Sequence, residues 1–161
     1  MQGATRGEAS VEIAAPTEKI YEMISDVTRM GEWSPECRRC EWLDGEGPKV
    51  GATFRGHNRN GPVRWSTTTK VVAAEPGKEF AFTTIVRGRE STRWRYLLQP
   101  SSSGTTLTES YEFVWAPMYL QFADVLMRRD KQLRKGLRQT LERIKATARV
   151  NLFETGSSSI Q

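Results

Sequence analysis

The feature that most constrains the fold is a long amphipathic segment near the C-terminus, which predicts a single helix from Pro117 to Arg149. Its apolar residues recur at steps of three, four or seven, so they lie on one side of an α-helix. They are Phe122, Leu126, Leu133, Leu137, Leu141, Ile144 and Ala148. Most of the chain from Ser10 to Val114 instead alternates between apolar and polar residues. A single apolar helix that follows such a region buries its stripe most simply by lying across a curved sheet.

The alternating region divides into seven predicted strands, separated by turn residues such as Asn60-Gly61, which favours a two-residue hairpin. Short connections make neighbouring strands antiparallel. Two short helices are expected between strands 1 and 2, the first opened by Pro16 and the second around 28–32. The strands cover 10–14, 38–43, 52–59, 63–74, 79–86, 92–99 and 105–114. The fold class is therefore α+β, with a seven-stranded curved antiparallel sheet wrapped around the long C-terminal helix.

The length of 161 residues and the absence of repeats favour one domain, which we expect to cover residues 9–150. We expect a disordered N-terminus over 1–8 and a flexible polar tail over 151–161. No apolar run is long enough for a membrane span and no signal peptide is recognisable, so a soluble, cytoplasmic protein is expected. It would be a monomer or a homodimer.

Strand parity predicts which side chains face the helix, since alternate residues share one face of a sheet. Trp94 and Tyr96 oppose arginines and should point inward. The same argument applies to Glu109 and Tyr111. The full set expected to line a ligand cavity is Trp33, Phe54, Asn58, Trp65, Thr67, Phe82, Trp94, Tyr96, Glu109, Tyr111, Phe113, Phe122, Leu126 and Asp130. Each aromatic residue among them is also explained by ordinary core packing.

Two acidic residues fall on buried faces, Glu109 on its strand and Asp130 on the helix stripe. A buried carboxylate is costly unless it is paired, hydrogen-bonded or hydrated. Glu109 therefore either has a structural partner or marks the polar part of a ligand pocket, and in an enzyme it would act in proton transfer. Asp130 has a simple structural explanation, an ion pair with Arg134 one helical turn later.

The net charge of +5 is concentrated on the long helix, where residues 128–149 contain nine basic and two acidic side chains. A solvated helix face accounts for this pattern. The alternative is peripheral contact with an anionic membrane or an acidic partner. Nucleic-acid binding is not expected, because no interleaved exposed aromatics or known motifs accompany the basic residues.

No metal or cofactor is expected from the sequence. Cys37 and Cys40 form a CxxC, but a structural zinc site needs four ligands, and two positions three apart on a strand should face opposite ways. His57 is the only histidine and its parity places it outside the sheet. The chain has no P-loop, GxGxxG or HExxH motif.

The order of elements and several short motifs resemble the START-like, or SRPBCC, superfamily of helix-grip proteins. The closest resemblance is to bacterial polyketide cyclase/dehydrase and lipid-transport proteins, over roughly Ala9 to Val150. The motifs are Ala15-Pro16, Ile20-Tyr21, Ser25-Asp26, Trp33-Ser34-Pro35, Gly51 with Phe54, Ala74-Glu75-Pro76-Gly77, Trp94 with Tyr96, and Gly104-Thr105 leading to Leu107-Thr108-Glu109. The resemblance implies a cavity between sheet and helix that binds hydrophobic small molecules.

Three functional hypotheses follow, because this fold alone does not fix a function. The first is a non-enzymatic carrier of a hydrophobic or aromatic molecule, whose polar end meets Glu109, Asn58 or Asp130. The second is a polyketide cyclase, aromatase or dehydratase with Glu109 and Tyr96 or Tyr111 as acid and base. The third is an interaction protein that uses the basic helix face.

Overall fold

The computed structural model describes residues 6–44, 47–115 and 123–157, and in the last segment it describes side chains at 127–151. Its elements follow the chain in the predicted order. Strand β1 is Arg6–Ile13, helix α1 is Thr17–Ser25, and a 3₁₀ helix covers Val27–Glu32. The remaining strands are β2 (Cys37–Asp44), β3 (Thr53–Asn60), β4 (Val63–Glu75), β5 (Glu79–Val86), β6 (Arg89–Ser101) and β7 (Gly104–Phe113), followed by helix α2 (Ala123–Ser157).

The seven strands form one antiparallel sheet in the order β1-β7-β6-β5-β4-β3-β2. Strands β2 to β7 are a meander, and β1 closes its far edge by pairing with β7. Register shifts occur within the β2–β3, β4–β5 and β5–β6 pairs. Such bulges bend a strand and increase its local twist, which lets the sheet curve. The predicted α+β helix-grip architecture is confirmed.

The predicted inward faces of the strands are confirmed by burial. Tyr96 and Leu98 in β6, and Leu107, Glu109 and Tyr111 in β7, are all 4% exposed or less. Phe54 in β3 and Thr69 and Val71 in β4 are buried in the same way. Alternation with a period of two therefore predicts which residues form most of the sheet's inner face.

Helix α2 lies against this surface through the predicted stripe, of which Leu133, Leu137, Leu141, Ile144 and Ala148 are buried. It begins at Ala123, whereas the sequence predicted Pro117; residues 116–122 lie outside the described part of the chain. It also continues to Ser157, whereas the sequence predicted its end at Arg149. Polar residues can extend a helix, because each added residue gains one backbone hydrogen bond.

Strand β1 begins at Arg6, four residues before the start of the predicted strand. Arg6 and Gly7 pair with Glu112 and Tyr111 in β7. Arg134 of α2 also donates a hydrogen bond to the Arg6 carbonyl. Polar residues can begin this strand, because backbone pairing along a sheet edge does not require apolar side chains.

Gly7 is the point where β1 passes over the Tyr111 ring. A Cβ atom at Gly7 would lie 2.5 Å from a ring carbon of Tyr111. The ring cannot move aside easily, since it is 1% exposed and its hydroxyl donates a hydrogen bond to Asp130. We expect Gly7→Ala to lower the free energy of unfolding by about 2 kcal/mol in urea denaturation. Glu8→Ala, at the neighbouring exposed position, is the control and should change it by less than about 0.5 kcal/mol.

Candidate functional site

A cavity of about 130 Å³ lies between the sheet and α2, and we call it the helix–sheet cavity. More of its lining is apolar than polar. It is lined by Met30, Ser34, Pro35, Glu36, Cys37, Cys40, Phe54, Gly56, Asn58, Trp65, Thr67, Thr69, Phe82, Thr84, Trp94, Tyr96, Glu109, Arg129, Gln132, Leu133, Gly136, Leu137 and Thr140. An apolar cavity with a few polar groups is typical of small-molecule sites.

Eight of the residues predicted to line a cavity do line it. They are Phe54, Asn58, Trp65, Thr67, Phe82, Trp94, Tyr96 and Glu109. Two of their rings, those of Phe54 and Phe82, pack edge to face at a centroid separation of 5.5 Å. Whether these side chains contact a ligand stays a prediction.

Four other predicted residues lie outside the lining. Trp33, at the end of the 3₁₀ helix, is 1% exposed and is packed in the main core. Tyr111 and Phe113 pack with Leu133 and Leu137, because α2 comes down onto β7 there and leaves no space. Asp130 is occupied by other groups, as described below. Phe122 and the side chain of Leu126 lie outside the described residues.

Asp130 is a structural residue at the contact between α2 and the sheet. Arg134 Nε donates a hydrogen bond of 2.9 Å to Asp130 Oδ2, which confirms the predicted ion pair. The Tyr111 hydroxyl donates to Asp130 Oδ1 and lies 3.1 Å from the Asp130 carbonyl oxygen. Burial is the main cause that raises the pKa of Tyr111 well above its usual value, and the hydrogen bond to the Asp130 carboxylate is the second. Tyr111 and Asp130 therefore join helix to sheet and do not face the cavity.

Glu109 is the most unusual group in the helix–sheet cavity. It is 4% exposed and lies directly opposite Tyr96 on the neighbouring strand. Its Oε2 atom has no hydrogen-bond partner among the described residues. Burial raises the pKa of Glu109 to about 8, and the nearby Tyr96 hydroxyl only partly offsets this. The carboxyl group is therefore mostly protonated at neutral pH, with one oxygen available to a ligand.

The cavity is also lined by residues that no local sequence pattern connects. Arg129 Nη2 donates a 2.8 Å hydrogen bond to Glu36 Oε2, and its guanidinium lies 5.8 Å from the Trp65 ring centroid. Both charged side chains are partly exposed, so the pair lies where the cavity meets solvent. The contact spans 93 positions in sequence, beyond the reach of any local pattern. On α2, Gln132, Gly136 and Thr140 are small or polar residues spaced by four, a pattern that indicates one shared face of the helix.

The prediction that Cys37 and Cys40 face opposite ways is wrong. Both are 4% exposed, and their sulfur atoms are 3.2 Å apart. The β2–β3 register shifts between Cys37 and Arg39, and this irregularity cancels the alternation on which the prediction depended. His57 does lie outside, where Nε2 is 2.9 Å from Glu41 Oε1. The described residues contain no cluster of three or more His, Cys, Asp or Glu able to hold a metal ion.

The basic face of α2 is solvent-exposed at Arg128, Lys131, Lys135 and Arg138. Its contact with an anionic membrane or an acidic partner stays a prediction. Among the described helices, none combines the length and apolar character needed to cross a bilayer.

The sequence model of the family described as "Polyketide cyclase / dehydrase and lipid transport" matches residues 4–149. The solution structure of a Polyketide_cyc-like protein from Corynebacterium glutamicum is similar, with 36% identity, a TM-score of 0.63, and coverage of 94% of this chain and 96% of that one. No curated protein matches the chain at a significant level.

Two aromatase/cyclase structures share the fold at low sequence identity. The Zhui aromatase/cyclase from Streptomyces sp. R1128 has 16% identity and a TM-score of 0.70, over 93% of this chain and 96% of that one. The di-domain aromatase/cyclase StfQ of the steffimycin biosynthetic pathway has 15% identity and a TM-score of 0.73, over 92% of this chain and 52% of that one. At these identities the likeness concerns the fold alone.

Proposed function

Because this chain belongs to the polyketide cyclase/dehydrase and lipid-transport family, we propose that it binds a hydrophobic or aromatic small molecule in the helix–sheet cavity. The observation that carries the proposal is Glu109, a buried and mostly protonated carboxyl with one unpartnered oxygen in a largely apolar cavity. An unsatisfied buried polar atom is costly, and a ligand with one polar end removes that cost.

The cavity volume limits what fits without rearrangement. An engineered apolar cavity of about 150 Å³ in another protein binds benzene, and the volume here is similar, at about 130 Å³. A single aromatic ring with one polar substituent therefore matches the site. A larger polycyclic or acyl ligand requires side chains at the solvent edge to move, and the Arg129–Glu36 pair is the obvious one.

We expect the protein to bind p-cresol with a Kd of about 0.1 to 1 mM in isothermal titration calorimetry at pH 7. Toluene, which lacks only the hydroxyl group, should bind about fivefold more weakly, because it cannot hydrogen-bond to Glu109. A wholly apolar cavity would give the opposite order, since burial of an unpaired hydroxyl is costly. Tighter binding of toluene, or no binding of either compound, would contradict the proposal.

The second candidate function is dehydration or cyclisation of a polyketide-like substrate. It is favoured by the raised pKa of Glu109, which keeps an acid protonated at neutral pH beside the Tyr96 hydroxyl. In a dehydration, one carboxyl oxygen would give its proton to the departing hydroxyl group. The other oxygen would take the proton from the carbon next to the carbonyl, so that water is released and Glu109 ends protonated again.

The β-hydroxyketone 4-hydroxy-4-phenylbutan-2-one tests this candidate, since loss of water gives a conjugated product that absorbs in the near ultraviolet. Turnover by the wild-type protein that falls about 100-fold or more in Glu109→Gln would support an enzyme. A rate equal to that without protein, together with p-cresol binding, supports the binding function alone. Circular dichroism of the variant shows whether a lost activity reflects a lost fold.

A further inference from the structure

Three sulfur atoms meet at one side of the helix–sheet cavity. Cys40 Sγ lies 3.2 Å from Cys37 Sγ and 3.8 Å from Met30 Sδ. Both cysteines are almost fully buried, yet all three residues line the cavity. The cavity therefore gives a small ion access to sulfur atoms that are otherwise shielded from solvent.

The backbone holds these three side chains together. The β2–β3 register shift after Cys37 turns both cysteines to the same face, and the Cys37 amide donates a 3.0 Å hydrogen bond to Ser34 Oγ. Met30 comes from the 3₁₀ helix, which approaches β2 so closely that a Cβ atom at Gly31 would lie 2.3 Å from the Arg38 carbonyl oxygen. Only glycine permits this close approach, and the approach places the Met30 side chain in contact with Cys40.

The ligand chemistry of this group is selective. Two thiolates and a thioether favour soft monovalent ions such as Cu(I), whereas zinc sites use four ligands of nitrogen, oxygen or thiolate sulfur. Other donors nearby are already engaged, because His57 contacts Glu41 on the outer face and Glu36 is paired with Arg129. We propose that Cys37, Cys40 and Met30 form a binding site for one soft monovalent metal ion, of which Cu(I) is the biological example.

Two of the three sulfur–sulfur distances fit this ion after a small movement. With metal–sulfur bonds of about 2.3 Å, a trigonal site separates its sulfur atoms by about 4 Å. The Cys40–Met30 distance of 3.8 Å already matches, and the two thiols need to open by about 0.8 Å through side-chain rotation.

Binding replaces protons and transfers no electrons. Each thiol loses one proton and the ion forms bonds to both thiolates and the thioether.

The test is anaerobic transfer of Cu(I) from its bicinchoninate complex to the full, reduced chain, followed by the absorbance of that complex. We expect one equivalent to be transferred. Cys37→Ser and Cys40→Ser should each weaken binding by about 100-fold or more, and Met30→Leu by about 10-fold. Met127→Leu, at a residue 69% exposed on α2, is the matched control and should bind like the wild type.

X-ray absorption of the loaded wild-type protein provides a readout that needs no variant. Three sulfur neighbours at about 2.3 Å are expected. The proposal is overturned by failure of the wild type to take Cu(I), or by two sulfur neighbours with Met30→Leu binding unchanged.

Discussion

The free energy of unfolding of the wild-type protein is expected to fall by roughly 3 kcal/mol between about pH 5 and pH 8, because of Glu109. Replacing Glu109 by glutamine should remove this fall. The reason is the pKa of about 8 that burial gives this carboxyl in the folded state, against its usual value of 4.5. Glutamine has nearly the same shape and does not ionise. In the variant, residue 109 should therefore contribute nothing to the pH dependence of the free energy of unfolding.

The direction of the effect follows from proton binding. Between the unfolded and folded pKa values, the folded protein holds a proton on Glu109 that the unfolded chain has released. Raising the pH therefore favours the unfolded state, and the stability falls through this window until the folded carboxyl also ionises near pH 8. Below about pH 4 both states are protonated and the contribution is constant.

Urea denaturation at half-unit pH steps measures this effect as the difference between the wild-type and Glu109→Gln curves. Subtraction removes the contributions of the other groups, which are common to both proteins. Glu8→Gln, at an exposed acidic position, is the matched control and should follow the wild type. Parallel curves for wild type and Glu109→Gln would show that Glu109 is ionised and solvated in the folded protein, and its role as the neutral polar end of the cavity would be wrong.

Filling the helix–sheet cavity from α2 should abolish ligand uptake and leave the fold intact. Gly136 lines the cavity, and a Cβ atom there would lie 3.5 Å from Pro35 Cγ, an ordinary contact. A leucine side chain at this position extends into the cavity beyond that contact. We expect Gly136→Leu to weaken p-cresol binding by about 30-fold or more, since the ring no longer has a site to enter.

Gly136→Ala is the matched control, because it makes the same change of backbone entropy with little loss of cavity volume. It should bind p-cresol within about threefold of the wild type and be up to about 1 kcal/mol more stable, as alanine is the better helix former. Calorimetric titration and thermal unfolding of the two variants measure both quantities. Undiminished binding in Gly136→Leu would mean that p-cresol binds elsewhere on the protein.

The fold was predictable because its main elements have simple periods. A period of two positioned Tyr96 and Glu109 on the inner face, and steps of three and four identified the buried leucines of α2. The prediction failed where a local irregularity interrupts the period, as at Cys37 and Cys40. It also failed at polar ends such as Arg6 and residues 151–157, where backbone hydrogen bonds continue an element without any apolar pattern.

The site was predictable only in part, because a cavity depends on distances between elements. Strand parity selected the strand residues that line the cavity. It could not show that α2 packs against β7 so closely that Tyr111 is buried there and does not line the cavity. Contacts such as Arg129 with Glu36 join distant segments and leave no local signal. The sequence predicts a structural partner for Glu109, and Tyr96 lies directly opposite it on the neighbouring strand.

We propose that the helix–sheet cavity accepts an aromatic molecule beside a neutral Glu109. An NMR experiment tests this directly by detecting nuclear Overhauser effects between bound p-cresol and side chains of the isotopically labelled protein. We expect contacts from the p-cresol ring to Phe82 and Leu137, which line opposite sides of the cavity on β5 and α2. Contacts confined to exposed residues such as Val63 or Met127, or none at saturating p-cresol, would contradict it.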